Sequence, residues 1–368
     1  MNRLFLLGAT GYVGGDALHV IANACPDLEI TALVRNSDKC PDLEITALVR
    51  NSDKGATVAA QYPKVRLVYG DLDNADLLKK EASHADIVLQ IADCDHVACA
   101  EALIAGLATQ DKKTYFIHTS GAGILCFPDI AAGTFGIMRE KVFDDWDGID
   151  EVTSLPDAAV HRNVDKIILG AHAASGGNID TTIVCPPCIY GPGRGPGNQR
   201  SMQVEGYVKA TLERSKGFLV EEGANIWNQV HVQDLSELFV ALIKAALSPN
   251  GGKATWNDKG YYFAENGEFA WGDIAREIAR CAFDKKLINS NELDTLDKDG
   301  ANKLIAMGGY LWGFNSRGRA IRARKLLDWK PTQKSALDLL PEIIDAEAKA
   351  LGRLKTHAEE AAEGRILR

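Results

Sequence analysis

The chain of 368 residues predicts an α/β protein built on a doubly wound parallel sheet, and three observations predict it. An apolar run, Arg3-Leu4-Phe5-Leu6-Leu7, leads straight into Gly8-Ala9-Thr10-Gly11-Tyr12-Val13-Gly14-Gly15. An amphipathic stretch follows at once, carrying Val13, Ala17, Leu18, Ile21 and Ala22. Strand-like and helix-like segments then alternate through the first half of the chain, as they do in a parallel sheet covered on both faces.

The first run has the unbroken apolar character of a fully buried strand. Gly8 allows a tight turn. Gly11 lets the backbone approach a pyrophosphate, whose charge rests at the helix N-terminus. Gly14 lets the helix pack against the strand. Strand, glycine turn and helix in that order make the phosphate grip of a dinucleotide-binding Rossmann fold, with Gly8, Thr10, Gly11, Tyr12, Val13 and Gly14 as its contacts.

Residues 25–39 read CPDLEITALVRNSDK, and residues 40–54 repeat them letter for letter. The pair occurs once, unlike a solenoid repeat. One copy of Glu-Ile-Thr-Ala-Leu-Val-Arg supplies the second strand. Using the second copy, 45–50, keeps the strand joined to its following loop and moves the extra segment away from the site, so that arrangement is expected. The strand ends in Arg35 or Arg50. An acidic residue there would bond the ribose hydroxyls of an adenosine. Arginine followed by Asn-Ser-Asp-Lys suits a 2′-phosphate, which favours NADP(H) over NAD(H).

Further strands are expected at 65–69, 85–92, 114–118 and 181–185, with helices at 75–82, 97–110 and 158–175. Ligands gather at the carboxyl ends of such strands. That directs attention to Asp71 and Leu72, to Ala92, and to Thr119 and Ser120. After Pro186 the style changes. Residues 191–197 are rich in glycine and proline, a helix follows at 204–214, and a polar, hairpin-like stretch runs to Gly223. Residues 227–235 lead into an apolar helix through Ala246. A short strand at 261–263 and further helices precede a charged tail at 347–368. These features divide the chain into a Rossmann domain over 1–190, with 228–249 returning to it, and a smaller α+β substrate domain from 191–227 and 250–345. A small-molecule substrate is expected in the cleft between them.

Composition excludes several classes. A net charge of −9 and no basic patch argue against a nucleic-acid partner. No apolar run reaches membrane-spanning length. The N-terminal apolar run is short and broken by glycine, so it does not read as a signal peptide. The eight cysteines lie scattered in apolar segments, as reduced thiols of a cytoplasmic protein do.

With these parts in place the chain resembles the extended or atypical short-chain dehydrogenase/reductases, the NAD(P)-dependent epimerase/dehydratase and NmrA-like group. Residues 8–14 resemble the family's GATGxxG, and Gly70-Asp71-Leu72 its turn beside the adenine. Phe116-Ile117-His118-Thr119-Ser120 resembles the strand at the reacting centre. The stretch from Pro186 and Pro187 through Ile189, Tyr190 and Gly191 to Gly193 resembles the PxxIYGPG turn beside the nicotinamide. Val230-His231-Val232-Gln233-Asp234-Leu235 and Leu327-Asp328-Trp329-Lys330-Pro331 resemble two C-terminal landmarks. The resemblance implies an oxidoreductase with a nicotinamide dinucleotide, Pro187 and Ile189 beside it, and admits a homodimer paired through the long helix.

The pattern breaks at the catalytic pair. Family members carry a tyrosine and a lysine four apart on the long helix. On that spacing Asp157 takes the tyrosine's place and His161 the lysine's. An exposed aspartate is ionised at neutral pH and donates no proton, whereas an imidazole can act as acid or base and bond a ribose. Three readings follow. The first is a reductase acting on a small carbonyl or activated double bond, or an epimerase, with the proton from His161, Tyr190 or His118 and with Thr119 and Ser120 at the reacting centre. The second is an NADP(H)-binding redox sensor without turnover. The third is a lyase without dinucleotide use. Packing is the expected role of Tyr190.

Other candidates are weaker. Cys185 and Cys188 have dithiol spacing but close a strand rather than opening a helix. Cys94, His96 and Cys99 cluster without a matching second pair and read as a loop and helix start, so no metal is expected. His231 and Asp234 are expected to cap the following helix. Arg194, Arg200 and Arg214 surround the substrate-side loop and could meet an anion, with a solvated face as their ordinary role.

Overall fold

The computed structural model describes residues 3–24, 29–34 and 52–355. Seven strands form its main sheet: β1 Arg3–Leu7, β2 Glu29–Val34, β3 Arg66–Tyr69, β4 Ile87–Gln90, β5 Thr114–Thr119, β6 Ile179–Cys185 and β7 Tyr261–Phe263. Their order in space is β7-β6-β5-β4-β1-β2-β3, and every pairing is parallel. The chain reverses its direction of progress between β1 and β4. Outside the carboxyl ends of those two strands lies the crevice where such sheets take ligands. The doubly wound α/β class is therefore as expected.

The first copy of the duplicated segment, not the second, fills the sheet. Glu29–Val34 pairs with β1 on one side and β3 on the other. The physical reason is reach. Helix α1, Tyr12–Ala24, ends four residues before this strand, a usual helix-to-strand connection, and the long connection falls instead between β2 and the helix that starts at Ser52. Arg35 and Arg50 both lie outside the described residues.

Helices α2 Ser52–Gln61, α3 Ala75–Ala82, α4 Val97–Leu107 and α5 Arg162–Ala174 complete the alternation. Helix α5 starts later than the expected 158. Residues 156–159 form a turn, with the Ala159 amide on the Pro156 carbonyl at 2.9 Å, and His161 caps the helix at φ +65°. A non-glycine residue in that left-handed region interrupts any helix running through it.

A second core is built from α6 Val204–Arg214, α8 Trp271–Asp284, α9 Gly308–Gly313 and α10 Ala336–Ala350, while α7 Val232–Leu247 returns to the first core and packs on α1. Tyr207 stacks on Phe218 with centroids 4.3 Å apart and meets Trp312 at 4.9 Å. Two expectations are corrected here. Gly217–Val220 is not half of a hairpin: it pairs in parallel with Leu293–Leu296, and α8 makes the crossover that a parallel pair requires. Tyr261–Phe263 joins the main sheet as its edge strand rather than the second core, because all three side chains are buried against it.

The glycine-rich segment 191–199 lies across the start of α1. A Cβ at Gly195 would sit 2.4 Å from Gly15, and one at Gly197 2.2 Å from the Thr10 carbonyl, so neither position has room for a side chain. Arg194 holds the fully buried Asp16 of α1 through two side-chain bonds of 2.8 Å, and Ser236 of α7 adds a third at 2.6 Å. Burial alone would raise the Asp16 pKa, but Arg194 and Ser236 outweigh it and hold the carboxyl ionised. Removing one partner of a buried pair is more costly than the pair is worth. Asp16→Ala is accordingly expected to destabilise the fold by about 3–5 kcal/mol, and Ser236→Ala by about 1 kcal/mol, read as falls in melting temperature.

Candidate active site

Helix α1 meets the carboxyl end of β1 through bare backbone. Gly8 has φ +98°, and a Cβ there would lie 2.6 Å from the Ile91 carbonyl that follows β4. A Cβ on Gly14 would lie 2.2 Å from the Gly8 carbonyl. The Gly11 amide closes the turn on Gly8 at 2.8 Å. Tyr12 and Val13 open the helix, so their amides have no partner within it, and Ala92 follows β4 beside the same glycine turn, its amide 3.0 Å from where a Gly8 Cβ would sit. The Tyr12 hydroxyl is taken by the Gly191 carbonyl at 2.5 Å. Asp71 caps its own turn, accepting from the Asp73 amide at 3.0 Å, while Leu72 is buried in the main core.

Polar atoms without partners collect at the same edge. The Gln90 side-chain carbonyl ends β4. His118, Thr119 and Ser120 end β5. Gln90 Oε1, both His118 ring nitrogens and the Thr119 hydroxyl are buried and lack a hydrogen-bond partner, while the Ser120 hydroxyl meets the buried Asp165 carboxyl. Each such atom costs about 1–3 kcal/mol unless something satisfies it. Ribose hydroxyls and a carboxamide are groups of the matching kind. The bare turn and these atoms therefore fit a dinucleotide laid from the α1 start toward β5.

His161 stands where β4, β5 and α5 converge. Its Nδ1 lies 2.8 Å from Asp95 Oδ1 and 3.4 Å from Cys94 Sγ, both in the loop after β4. Its other edge faces the turn after β5, since a Cβ at Gly121 would lie 3.0 Å from Nε2. Burial alone would lower the His161 pKa, but hydrogen bonds to Asp95 and Cys94 push it up to about 10. His118, in contrast, is driven down to about 3 by burial and by the neighbouring charge of His161. It is neutral and enclosed, so it does not serve as the proton source.

Tyr310 of α9 closes the group from the second core. Its hydroxyl donates to the Gly123 carbonyl at 2.9 Å. A Cβ on Gly123 would lie 2.7 Å from that hydroxyl and 3.3 Å from His161 Nε2, so the two side chains are at most 6.0 Å apart, the sum of those distances. Nothing local in the sequence marks Tyr310, because almost the whole second core separates it from Gly123. Asp95 and Cys94 did carry a signal, their place directly after β4.

The remaining candidates are engaged elsewhere. The Asp157 side chain is 77% exposed and pairs with Lys166 at 2.8 Å, so it does not stand in for a tyrosine facing the crevice. Tyr190 is fully buried with its hydroxyl on the Lys334 carbonyl at 2.7 Å, which is the expected packing role. Pro187 is buried and Ile189 half-buried beside it, between β6 and the short strand Cys188–Tyr190. Arg194, Arg200 and Arg214 are each held by a carboxylate, Asp16, Glu347 and Asp294 respectively, which leaves none of them as a free anion site. His96 caps α4 by accepting from the Cys99 amide at 3.1 Å. His231 likewise caps α7, and Asp234 accepts the amides of Thr332 and Gln333 at 2.9 and 3.1 Å.

No family model matches the chain. It is 35% identical over 359 residues to Oxidase ucsJ of Acremonium sp, across 95% of this chain and 99% of that protein. It is 23% identical over 351 residues to the uncharacterized protein YLL056C of Saccharomyces cerevisiae, across 91% of this chain and 97% of that one. Among solved structures it superposes on dTDP-glucose 4,6-dehydratase from Bacillus anthracis in complex with NAD, with TM-score 0.65 and 14% identity over 96% of this chain and 99% of that one. UDP-glucuronic acid 4-epimerase from Bacillus cereus, in complex with UDP-glucuronic acid and NAD, gives 0.63 and 14% over 95% and 99%. The structural likeness gives the doubly wound dinucleotide-binding fold, and the chain belongs to the same family as Oxidase ucsJ. Among the described residues, no helix is long and apolar enough to cross a membrane.

One buried acid near the glycine turn also bears on stability. Glu205, in the first turn of α6, is 5% exposed, and its Oε2 has no partner. Burial, reinforced by Glu347, pushes its pKa up to about 7 from an ordinary 4.5. The folded state therefore favours the protonated form. Its stabilising contribution is complete below the ordinary value and is lost as pH rises through about 7. Glu205→Gln is expected to flatten this loss. Melting temperatures compared at about pH 5 and pH 8 should show the variant gaining on the natural protein at the higher pH, by on the order of 2 kcal/mol. Parallel profiles for the two proteins would contradict the assignment.

Proposed function

We propose that the protein is a nicotinamide-dependent oxidoreductase that reduces a small carbonyl or activated double bond, with NADP(H) favoured over NAD(H). The observation that carries this reading is the bare glycine turn at the start of α1, beside the strand ends that carry Gln90 and Thr119. The relative named as an oxidase, similar along nearly its whole length, supports redox chemistry. The NAD complexes of the structural neighbours support a nicotinamide dinucleotide.

The dinucleotide would be held by the amides of Tyr12 and Val13 against its phosphates and by the groups at the ends of β4 and β5. When bound it supplies the hydride. The chain's own residues do the rest. Thr119 and Ser120 are placed to donate hydrogen bonds to a substrate oxygen at the end of β5. Tyr310 holds a proton at its hydroxyl, within 6.0 Å of His161 Nε2, and that pair takes over the work of the absent tyrosine and lysine. Burial and the neighbouring Cys126 and Asp95 push the Tyr310 pKa well above the ordinary phenol value, so its hydroxyl keeps its proton until an oxyanion developing on the substrate takes it. Residues of α9 and of the segment 191–199 border the crevice and limit water at the reacting centre.

The test is turnover. The purified protein should oxidise NADPH in the presence of at least one member of a panel of aldehydes, ketones and enones. Tyr310→Phe should lower kcat by about 10²–10⁴-fold and leave the dissociation constant for NADPH within a factor of about two. Tight binding with no turnover across the panel would instead favour the cofactor-sensing role. An unchanged kcat in Tyr310→Phe would remove that residue from the chemistry.

A further inference from the structure

We infer that Cys94, Asp95 and His161 form a binding site for a divalent, thiolate-accepting cation such as zinc, with one coordination position left open. Among the described residues this is the one place where three metal-ligating side chains converge, their ligand atoms all within 4.8 Å of one another. They offer a sulfur, a carboxylate oxygen and an imidazole nitrogen, the set that zinc selects.

The geometry is closer to a coordination sphere than to a hydrogen-bonded pair. Cys94 Sγ and Asp95 Oδ1 approach the same atom, His161 Nδ1, at 3.4 and 2.8 Å. A single N–H points at one acceptor, so it leaves the other poorly served. Around a tetrahedral zinc with bonds of about 2.0–2.3 Å, ligand atoms stand roughly 3.3–3.6 Å apart. The sulfur already stands at that spacing from Nδ1, the exposed Asp95 carboxylate reaches it with a shift of about half an ångström, and the sulfur-to-carboxylate edge, within 4.8 Å, closes to the same spacing when the metal binds. Two loop residues and one helix cap supply the ligands. His161 is held for the purpose at φ +65°, a backbone state that a non-glycine residue keeps only when its surroundings enforce it. Gly121 and Gly123 leave room at the far edge of the ring, since a Cβ on them would lie 3.0 and 3.3 Å from Nε2.

Three protein ligands leave a fourth position for water or for a substrate oxygen, the arrangement of a catalytic rather than a structural site. A cation there lies at the carboxyl ends of β4 and β5, where it would polarise a carbonyl oxygen as a Lewis acid. That effect on turnover rests on the hydride-transfer reading above; binding of the metal does not.

The experiment is titration of metal-free protein with cobalt(II), followed by optical absorption. One equivalent should bind, with a thiolate-to-cobalt charge-transfer band and visible bands of four-coordinate intensity, and zinc should displace it. Cys94→Ser should abolish the charge-transfer band. It should also weaken zinc binding by more than the roughly 10–100-fold that an outer partner contributes, with circular dichroism unchanged. His161→Gln should weaken zinc to the same degree. No charge-transfer band in the natural protein, substoichiometric uptake, or a band that survives Cys94→Ser would overturn the site. Cobalt binding without NADPH turnover would leave the metal site standing and sink the hydride-transfer reading. Turnover in metal-free protein, equal to that of the zinc-loaded protein, would leave the hydride-transfer reading standing and overturn the Lewis-acid role.

Discussion

The structure depends on a contact between two stretches of bare backbone. The first turn of α1 comes so close to the end of β1 that the carbonyl of Gly8 occupies the place of any side chain on Gly14. Gly8 in turn presses on the peptide after β4. This packing sets the helix amides, the switch point between β1 and β4, and the loop bearing Cys94 and Asp95 at one edge. No other arrangement of the same sheet would put the positive end of a helix beside the polar ends of β4 and β5. The segment 191–199 reinforces the contact from outside, with glycines again touching backbone and with Arg194 locked onto Asp16.

The crevice differs in kind from one that uses a tyrosine and lysine on a single helix. On the proposed reading, its donor and its cation would come from different parts of the chain. His161 stands at the cap of α5, fixed by a loop. Tyr310 arrives from the second core and is anchored on the Gly123 carbonyl. Pairing them requires the two cores to be correctly seated. The buried Asp234, which binds the amides of Thr332 and Gln333, and the Trp329 indole on the Asp234 carbonyl at 2.8 Å help to seat them. On the proposed reading, turnover would depend on how the two cores are seated.

Much of the first core was legible in the sequence because its signals are local. An apolar run followed by glycines at fixed spacing defines both strand and turn, and β3 to β6 follow by alternation. Residues 75–82 and 204–214 were also readable as helices, each carrying its own amphipathic pattern. The failures were non-local. Nothing in two identical segments says which one pairs with β1; loop length decides it. Gly217–Val220 looked like a hairpin because its true partner lies beyond α8. At the site, His161 and the β5 hydroxyls were visible through motif spacing. Asp157 was misplaced because the helix starts at Arg162, and Tyr310 was invisible because only tertiary structure brings it to Gly123.

The central claim is that the edge formed by the α1 start and the ends of β4 and β5 holds a nicotinamide dinucleotide. Calorimetric titration of the folded protein with NADPH, and separately with NADH, measures this directly. Saturable binding of one equivalent, tighter for the phosphorylated form, is the predicted result. Absence of a heat signal from both nucleotides, in protein whose circular dichroism and melting transition show it folded, would contradict the account.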